Sequence, residues 1–251
     1  MLRLTLGLTF ALAIAGSALA DGYEDPKSFK APAAPIWSGI YLGAGAGYGQ
    51  ASTRDDYSEN VSGDTFSTSF SGQSAQGGLI RFLLGADRQI KEKFVLGVFA
   101  DFDWTDISQT YKATATGSSD AIDDELTMEW QWSIGGRAGY LFTPTTMLYF
   151  LAGFTQAHFK SDGWYDIYPT SGPIDVLPGK SSITYNGYVV GFGMETLIGH
   201  NVFLRGEMRY SEFDGQVVNS GTLFGDSYSD SEHPSLLTGM LGLTYKFNRA
   251  D

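Results

Sequence analysis

The stretch FVLGVFADFDWT, Phe94 to Thr105, alternates in character from one side chain to the next. Phe94, Leu96, Val98, Ala100, Phe102 and Trp104 fall on one parity, and Gly97, Asp101, Asp103 and Thr105 fall on the other. Successive side chains of a β-strand point to opposite faces, so the apolar set shares one side and the carboxylates share the other. A helix, with a period of about 3.6 residues, would not sort them this way.

The same reading extends along the chain. Ile40, Leu42, Ala44, Ala46 and Tyr48 alternate with Gly39, Tyr41, Gly43, Gly45 and Gly47, and Ile80, Phe82, Leu84 and Ala86 leave Arg81 and Asp87 opposite. Met128, Trp130, Trp132, Ile134, Ala138, Tyr140 and Phe142 stand against Glu129, Gln131, Ser133, Gly135, Arg137 and Gly139. Leu148 to His158 is apolar on both parities, with Leu148, Phe150, Ala152 and Phe154 assigned outward. Tyr188, Val190, Phe192 and Met194 oppose Gly187, Gly191, Gly193 and Glu195; Leu204, Met208 and Tyr210 oppose Arg205, Glu207 and Arg209. Leu237, Leu241, Leu243, Tyr245 and Phe247 end the series against Thr238, Gly242, Thr244 and Lys246, which makes eight strands.

The spacers have their own rhythm. Polar segments at 51–76, 106–126, 159–182 and 214–233 are long, and those at 89–93, 143–146 and 197–201 are short. Long always follows an odd strand, which in an up-and-down barrel gathers the long connections at one end. A soluble eight-stranded barrel would carry its apolar parity inside; here the charged parity must be inside. The pattern predicts an all-β fold: an eight-stranded antiparallel up-and-down transmembrane β-barrel with four long extracellular loops, closed so that no backbone group is left unpaired in lipid.

Composition fits that frame. The 251 residues include 32 glycines, no cysteine, and 28 acidic against 16 basic side chains, for a formal charge of -12. The lack of thiols excludes a disulfide scaffold and a zinc ribbon, and the acidic balance without a basic run excludes nucleic acid as a partner. Residues 1–20 have Arg3, an apolar run from Leu4 to Ala15 and Ala18-Leu19-Ala20, the pattern of a secretory signal cleaved before Asp21. Residues 21–35, with Pro26, Pro32 and Pro35, read as a flexible periplasmic tail, 36–247 as the barrel and 248–251 as a C-terminal extension.

The inward charges are Arg81, Asp87, Asp101, Asp103, Glu129, Arg137, Glu195, Arg205, Glu207, Arg209 and Lys246. An eight-stranded barrel is just wide enough for its own side chains, so these are expected to pair and plug the lumen. A narrow, weakly cation-selective channel is the alternative, favoured by loop carboxylates such as Asp55, Asp56, Asp123, Asp124 and Asp230. The alternating glycines of the first strand are expected to make room for arginines from across the barrel. No acidic run has the spacing of a calcium loop, and no metal or other cofactor is expected. His233-Pro234-Ser235 places a base two residues from a hydroxyl, the minimum for a nucleophile, yet no oxyanion donor accompanies it, and no enzymatic activity is expected.

Three segments, in order, resemble a known group. Pro32-Ala33-Ala34-Pro35 followed by Trp37-Ser38-Gly39-Ile40-Tyr41-Leu42-Gly43, then Gly135-Gly136-Arg137-Ala138-Gly139-Tyr140, then Leu204-Arg205-Gly206-Glu207-Met208-Arg209-Tyr210 are similar to motifs of the small alphaproteobacterial outer-membrane barrel proteins, the OmpA-like immunogenic surface-protein group. The resemblance implies a structural protein and surface antigen of the outer membrane, contributing to envelope integrity and surface contact. It also implies that Gly242, Tyr245 and Phe247 resemble the C-terminal signal read by the barrel-assembly machinery. Outer-membrane lipid and lipopolysaccharide are the expected surroundings, with peptidoglycan or a host surface as further contacts. Some members bind hemin, for which His158 and His233 are the candidate ligands here.

Overall fold

The computed structural model describes residues 37–61, 64–114, 121–166, 177–223 and 226–248. The leader at 1–20, the tail at 21–35 and the extension beyond Asn248 lie outside them. So do the side chains of most of the acidic residues expected in the loops, among them Asp55, Asp123, Asp124 and Asp230.

The described chain is strand almost throughout: β1 (Gly39–Val61), β2 (Asp64–Ile90), β3 (Phe94–Thr114), β4 (Ala121–Thr143), β5 (Thr146–Asp166), β6 (Leu177–Gly199), β7 (Val202–Phe213), β8 (Gln216–Leu223) and β9 (Asp226–Asn248). Each pairs antiparallel with its neighbour, and β1 also pairs with β9, closing the sheet into a barrel. β7 and β8 both lie along β9, β7 against residues 235–245 and β8 against residues 226–232. They are two segments of one wall position, broken at Asp214-Gly215, so the barrel has eight strands as the alternation predicts.

The register gives its dimensions. Stepping across the ladder from Tyr41 leads to Gly85, Phe99, Gly135, Gly153, Val189, Ser211 and Leu236, and returns to β1 at Ala51. The path comes back ten residues further along the strand than it left. With about 3.3 Å per residue and about 4.8 Å between strands, that offset tilts the strands by about 41° and sets a backbone radius of about 8 Å. The outward run Phe94 to Trp104 then rises about 25 Å along the axis, the height of an apolar band in a bilayer.

Facing follows parity. Phe82, Val98, Phe102, Ile134, Phe150, Phe192 and Leu241 are exposed on the outer wall, while Arg81, Asp101, Arg137 and Lys246 are buried in the lumen. On β5, Leu148, Phe150 and Phe154 point outward as expected, and Tyr149 and Leu151 fill the inside. Lys91 and Asn201 adopt left-handed backbone conformations, with φ of 59° and 58°, in two of the tight turns.

Three expectations are corrected. The polar segments read as long loops are, where described, strand: β1 and β2 stay paired out to Val61 and Asp64, so the hairpin continues past the apolar band. Met128 was expected outward and Glu129 inward, but a bulge between Met128 and Trp130 gives β4 one extra residue. It turns Met128 fully inward and Glu129 out. The lumen is also less polar than its charges suggest. Trp37, Val95, Met147 and Phe203 pack at the tight-turn end, and Ile107, Met128, Phe159, Phe213 and Leu236 pack at the other. An eight-stranded barrel of this radius is just wide enough for side chains to fill, so inward positions can be apolar wherever they meet one another.

Candidate functional site

Between the two apolar clusters lies a layer of charge. Arg81 and Asp87 come from β2, Asp101 and Asp103 from β3, Arg137 from β4, Glu195 from β6, Arg205, Glu207 and Arg209 from β7, and Lys246 from β9. Every one is buried, and the five cations equal the five anions in number. An unpaired ion in such a place would carry a desolvation cost of several kcal/mol, so the balance is a condition of folding.

The pairing has two centres. In the first, Arg137 grips Asp87 with Nε and Nη2 at 2.8 and 2.5 Å and donates Nη1 to Glu195 at 3.0 Å. Lys246 Nζ lies 2.9 Å from Asp87 and 3.2 Å from Glu195, closing a ring of four charges. In the second, Glu207 accepts from Arg81 Nη1 at 2.9 Å, from Arg209 Nε at 2.6 Å and from Arg205 Nη2 at 2.5 Å. The Tyr149 hydroxyl adds a fourth donor to Glu207 at 2.6 Å. Arg81 also holds Asp103 through Nε and Nη2 at 2.5 and 2.6 Å, and Arg209 Nη2 approaches Asp101 at 2.8 Å. Planar guanidinium groups serve here because each can bridge two carboxylates in fixed geometry.

Glycine makes the space. Across the ladder Arg81 faces Gly45, Arg137 faces Gly97, Arg205 faces Gly242, Glu207 faces Gly193 and Arg209 faces Gly191. A Cβ on Gly97 would press on the Asp87 carboxylate, and one on Gly193 on the Tyr149 hydroxyl. The first-strand glycines Gly43, Gly45, Gly47 and Gly49 were expected to admit arginines; Gly45 faces Arg81 across the ladder, but the atoms nearest to a Cβ at the four positions belong to Leu83, Thr244, Met240, Ile107 and the β9 backbone.

Aromatic faces complete the layer; Tyr41 stands on the inward parity of the first strand, whereas Trp37 and Phe203 lie outside the alternating runs. The Arg137 guanidinium lies 4.3 Å from the Tyr41 ring centre, and Lys246 Nζ lies 4.3 Å from that of Trp37 and 4.8 Å from that of Phe203. Trp37 is fully buried, donates Nε1 to the Pro144 carbonyl at 3.1 Å and seals the lumen at the tight-turn end.

The remaining candidates lie apart from this layer. Glu129 stands on the outer wall, 3.8 Å from His158 Nε2, and is absent from the lumen network where it was expected. His158 stacks on Trp130 and shares its Nδ1 with the Thr184 hydroxyl at 2.9 Å. His233 is exposed on β9 and turns to Asp56 at 3.6 Å, while the Ser235 hydroxyl donates to the Ser52 carbonyl. His233 and Ser235 are therefore not assembled as base and nucleophile. Gly242 sits inside opposite Arg205, and Tyr245 and Phe247 meet edge to face on the outer wall with centres 4.9 Å apart.

The chain is similar to known proteins. The outer membrane protein β-barrel domain family matches residues 7–247. The 31 kDa outer-membrane immunogenic protein of Brucella melitensis is 26% identical over 245 residues, spanning 95% of this chain and 97% of that protein. Among solved structures, OprG from Pseudomonas aeruginosa is 11% identical over 86% of this chain and 99% of that chain, with a TM-score of 0.46. Neisserial surface protein A is 20% identical over 84% and 98%, with a TM-score of 0.38. A closed antiparallel wall, apolar outside and ion-paired inside, together with a family match over nearly the whole chain, makes this protein a member of the outer-membrane β-barrel family.

Proposed function

We propose that the protein is a structural surface protein of the outer membrane, without enzymatic activity, that contributes to envelope integrity and surface contact. The observation that supports this reading is the buried layer of matched charge that spans the lumen among the described residues, in an eight-stranded barrel whose interior is just wide enough for its own side chains. A cation-selective channel needs carboxylates left free along an open bore, whereas here five anions meet five cations. In this reading residues 1–20 are removed on export, residues 21–35 hang on the periplasmic side, and Gly242, Tyr245 and Phe247 are read by the barrel-assembly machinery. Lipopolysaccharide surrounds the far end of the wall, and the hairpins beyond it meet whatever the surface meets.

Cells lacking the protein test this. They are expected to be more sensitive to detergent with a chelator, with sensitivity restored by the wild-type chain, and to take up small hydrophilic solutes at the parental rate. Unchanged sensitivity with slower uptake would overturn the structural reading in favour of the channel.

A further inference from the structure

The closed ring does not continue to the end of its strands. β2 pairs with β3 only from Gln76 to Ile90, although β2 begins at Asp64 and β3 ends at Thr114. β6 pairs with β7 only from Gly187 to Gly199, although it begins at Leu177. Beyond those rungs the wall divides into two four-stranded flaps, β8-β9-β1-β2 and β3-β4-β5-β6, each paired internally. Unpaired backbone is not tolerated in lipid, so the division begins where the wall has left the hydrocarbon.

The division leaves four strand edges without a neighbouring strand among the described residues, and three of them carry features that discourage pairing with another chain. The β3 edge at 109–114 contains Lys112, and the β6 edge at 177–186 contains Pro178 and Lys180. β8 is only eight residues long and is broken by a register shift between Val217 and Asn219. The β2 edge is different. Thr53 faces Gln73 and Arg54 faces Ser71, so a bulge sits at Gly72 and residues 65–71 form an unbroken run, TFSTSFS, with no charge, proline or glycine. Such an edge is a template for strand addition. Ser67, Thr68 and Ser69 are exposed in succession, so both faces of the hairpin meet solvent there.

The run reads nearly the same in both directions about Thr68. Antiparallel pairing of two copies about that residue sets Thr65 against Ser71, Phe66 against Phe70 and Ser67 against Ser69, and only this register brings both phenylalanines opposite a phenylalanine. Aromatic cross-strand pairs stabilise such a ladder, and a self-complementary patch is what a twofold contact requires. Direction decides where the second copy stands. With strands tilted by about 41°, two copies side by side in one membrane, related by a twofold along its normal, would cross at about 82°. Copies in facing membranes run in opposite directions, as an antiparallel ladder demands. Counted along β1, residues 65–71 stand about 10 to 25 Å above the last rung shared with β3, clear of the lipid.

We propose that the β2 edge from Thr65 to Ser71 pairs antiparallel with the same edge of a second copy in a facing outer membrane, joining two flaps into one sheet and one cell to the next. This names the partner in the surface contact proposed above and rests on that reading. β1 and its counterpart then lie three strand spacings apart, about 14 Å, and both carry Asp55, Asp56 and Glu59. That distance exceeds the screening length of about 8 Å at physiological salt but not that of about 30 Å at 10 mM, so salt favours the contact.

Cell clumping tests it. The full chain is displayed on a bacterial host whose lipopolysaccharide lacks O-polysaccharide, and two differently dyed populations are mixed. Cells carrying the protein are expected to clump with one another and not with cells lacking it, and to settle about fivefold faster at 150 mM than at 10 mM salt. Thr68→Lys and Thr68→Asp, at an exposed position, each set like charges opposite one another. Each is expected to abolish clumping within its own population while retaining the wild-type shift in gel mobility on heating. Mixing the two variant populations is expected to restore clumping, because the register sets the opposite charges face to face. Wild-type cells that stay dispersed, that clump equally with cells lacking the protein, or that clump only with added calcium would overturn the proposal, as would variant populations that stay apart when mixed. None of these results alters detergent sensitivity, the readout of the structural role.

Discussion

Replacing Glu207 with leucine lowers the unfolding free energy of the refolded barrel by about 3–5 kcal/mol, the loss expected when one side of a buried ion cluster is removed. Glu207 is the common acceptor of Arg81, Arg205, Arg209 and Tyr149, so the change strands three guanidinium groups. Arg81 keeps Asp103 and Arg209 keeps Asp101 nearby, but the hydrogen bonds of Arg205 to carboxylate run to Glu207 alone among the described residues. Arg205 is therefore the group most exposed to the loss. Urea titrations of wild type and variant in the same lipid measure it, and combining Glu207→Leu with Arg205→Leu should recover part of the stability by removing the stranded charge. Coincident midpoints for wild type and Glu207→Leu would show that the charges are not paired.

A loss of similar size, about 3–5 kcal/mol, is expected for Trp37→Ala. The indole is fully buried at the narrow end of the barrel, packs on Phe203 with ring centres 4.9 Å apart and lies under Lys246 Nζ. Removing it leaves a hole that the stiff wall cannot collapse to fill, and it frees the Pro144 carbonyl from its donor. Trp37→Phe retains a ring beneath Lys246 and gives up the hydrogen bond, so it should lose clearly less than alanine in the same titration. Equal losses for both would place the weight on the hydrogen bond, and no loss for either would remove Trp37 from the closure of the lumen.

The architecture was legible because lipid and lumen make opposite demands on alternate residues. Where both demands are strong, as at Phe94 to Trp104 or at Leu204 to Tyr210, parity alone sorts wall from core. Where they relax, parity misleads. Glu129 looked like a lumen charge because Met128, Trp130 and Trp132 extend the apolar parity without a break, and nothing local marks the bulge that inserts one residue. The polar segments looked like loops because they lack apolar alternation; beyond the lipid a strand no longer needs it, and backbone pairing carries the hairpins on. Tyr149 was hidden on a strand apolar on both parities, although Gly193 opposite it was a signal, since a glycine in a strand interior marks a close approach. The partnership of particular charges was out of reach, because it is set by strand register: Asp87, Gly97 and Arg137 share one rung across β2, β3 and β4, which no single stretch of sequence displays.

Single-channel recording of the refolded full chain in a planar bilayer is the most direct test of the closed lumen. With five buried cations matched to five buried anions and an apolar cluster at each end, the folded barrel should stay silent at voltages that leave the bilayer intact. Steady openings of uniform size, selective for cations and altered by Asp101→Asn or Glu195→Gln, would contradict it and make the charge layer the lining of a pore.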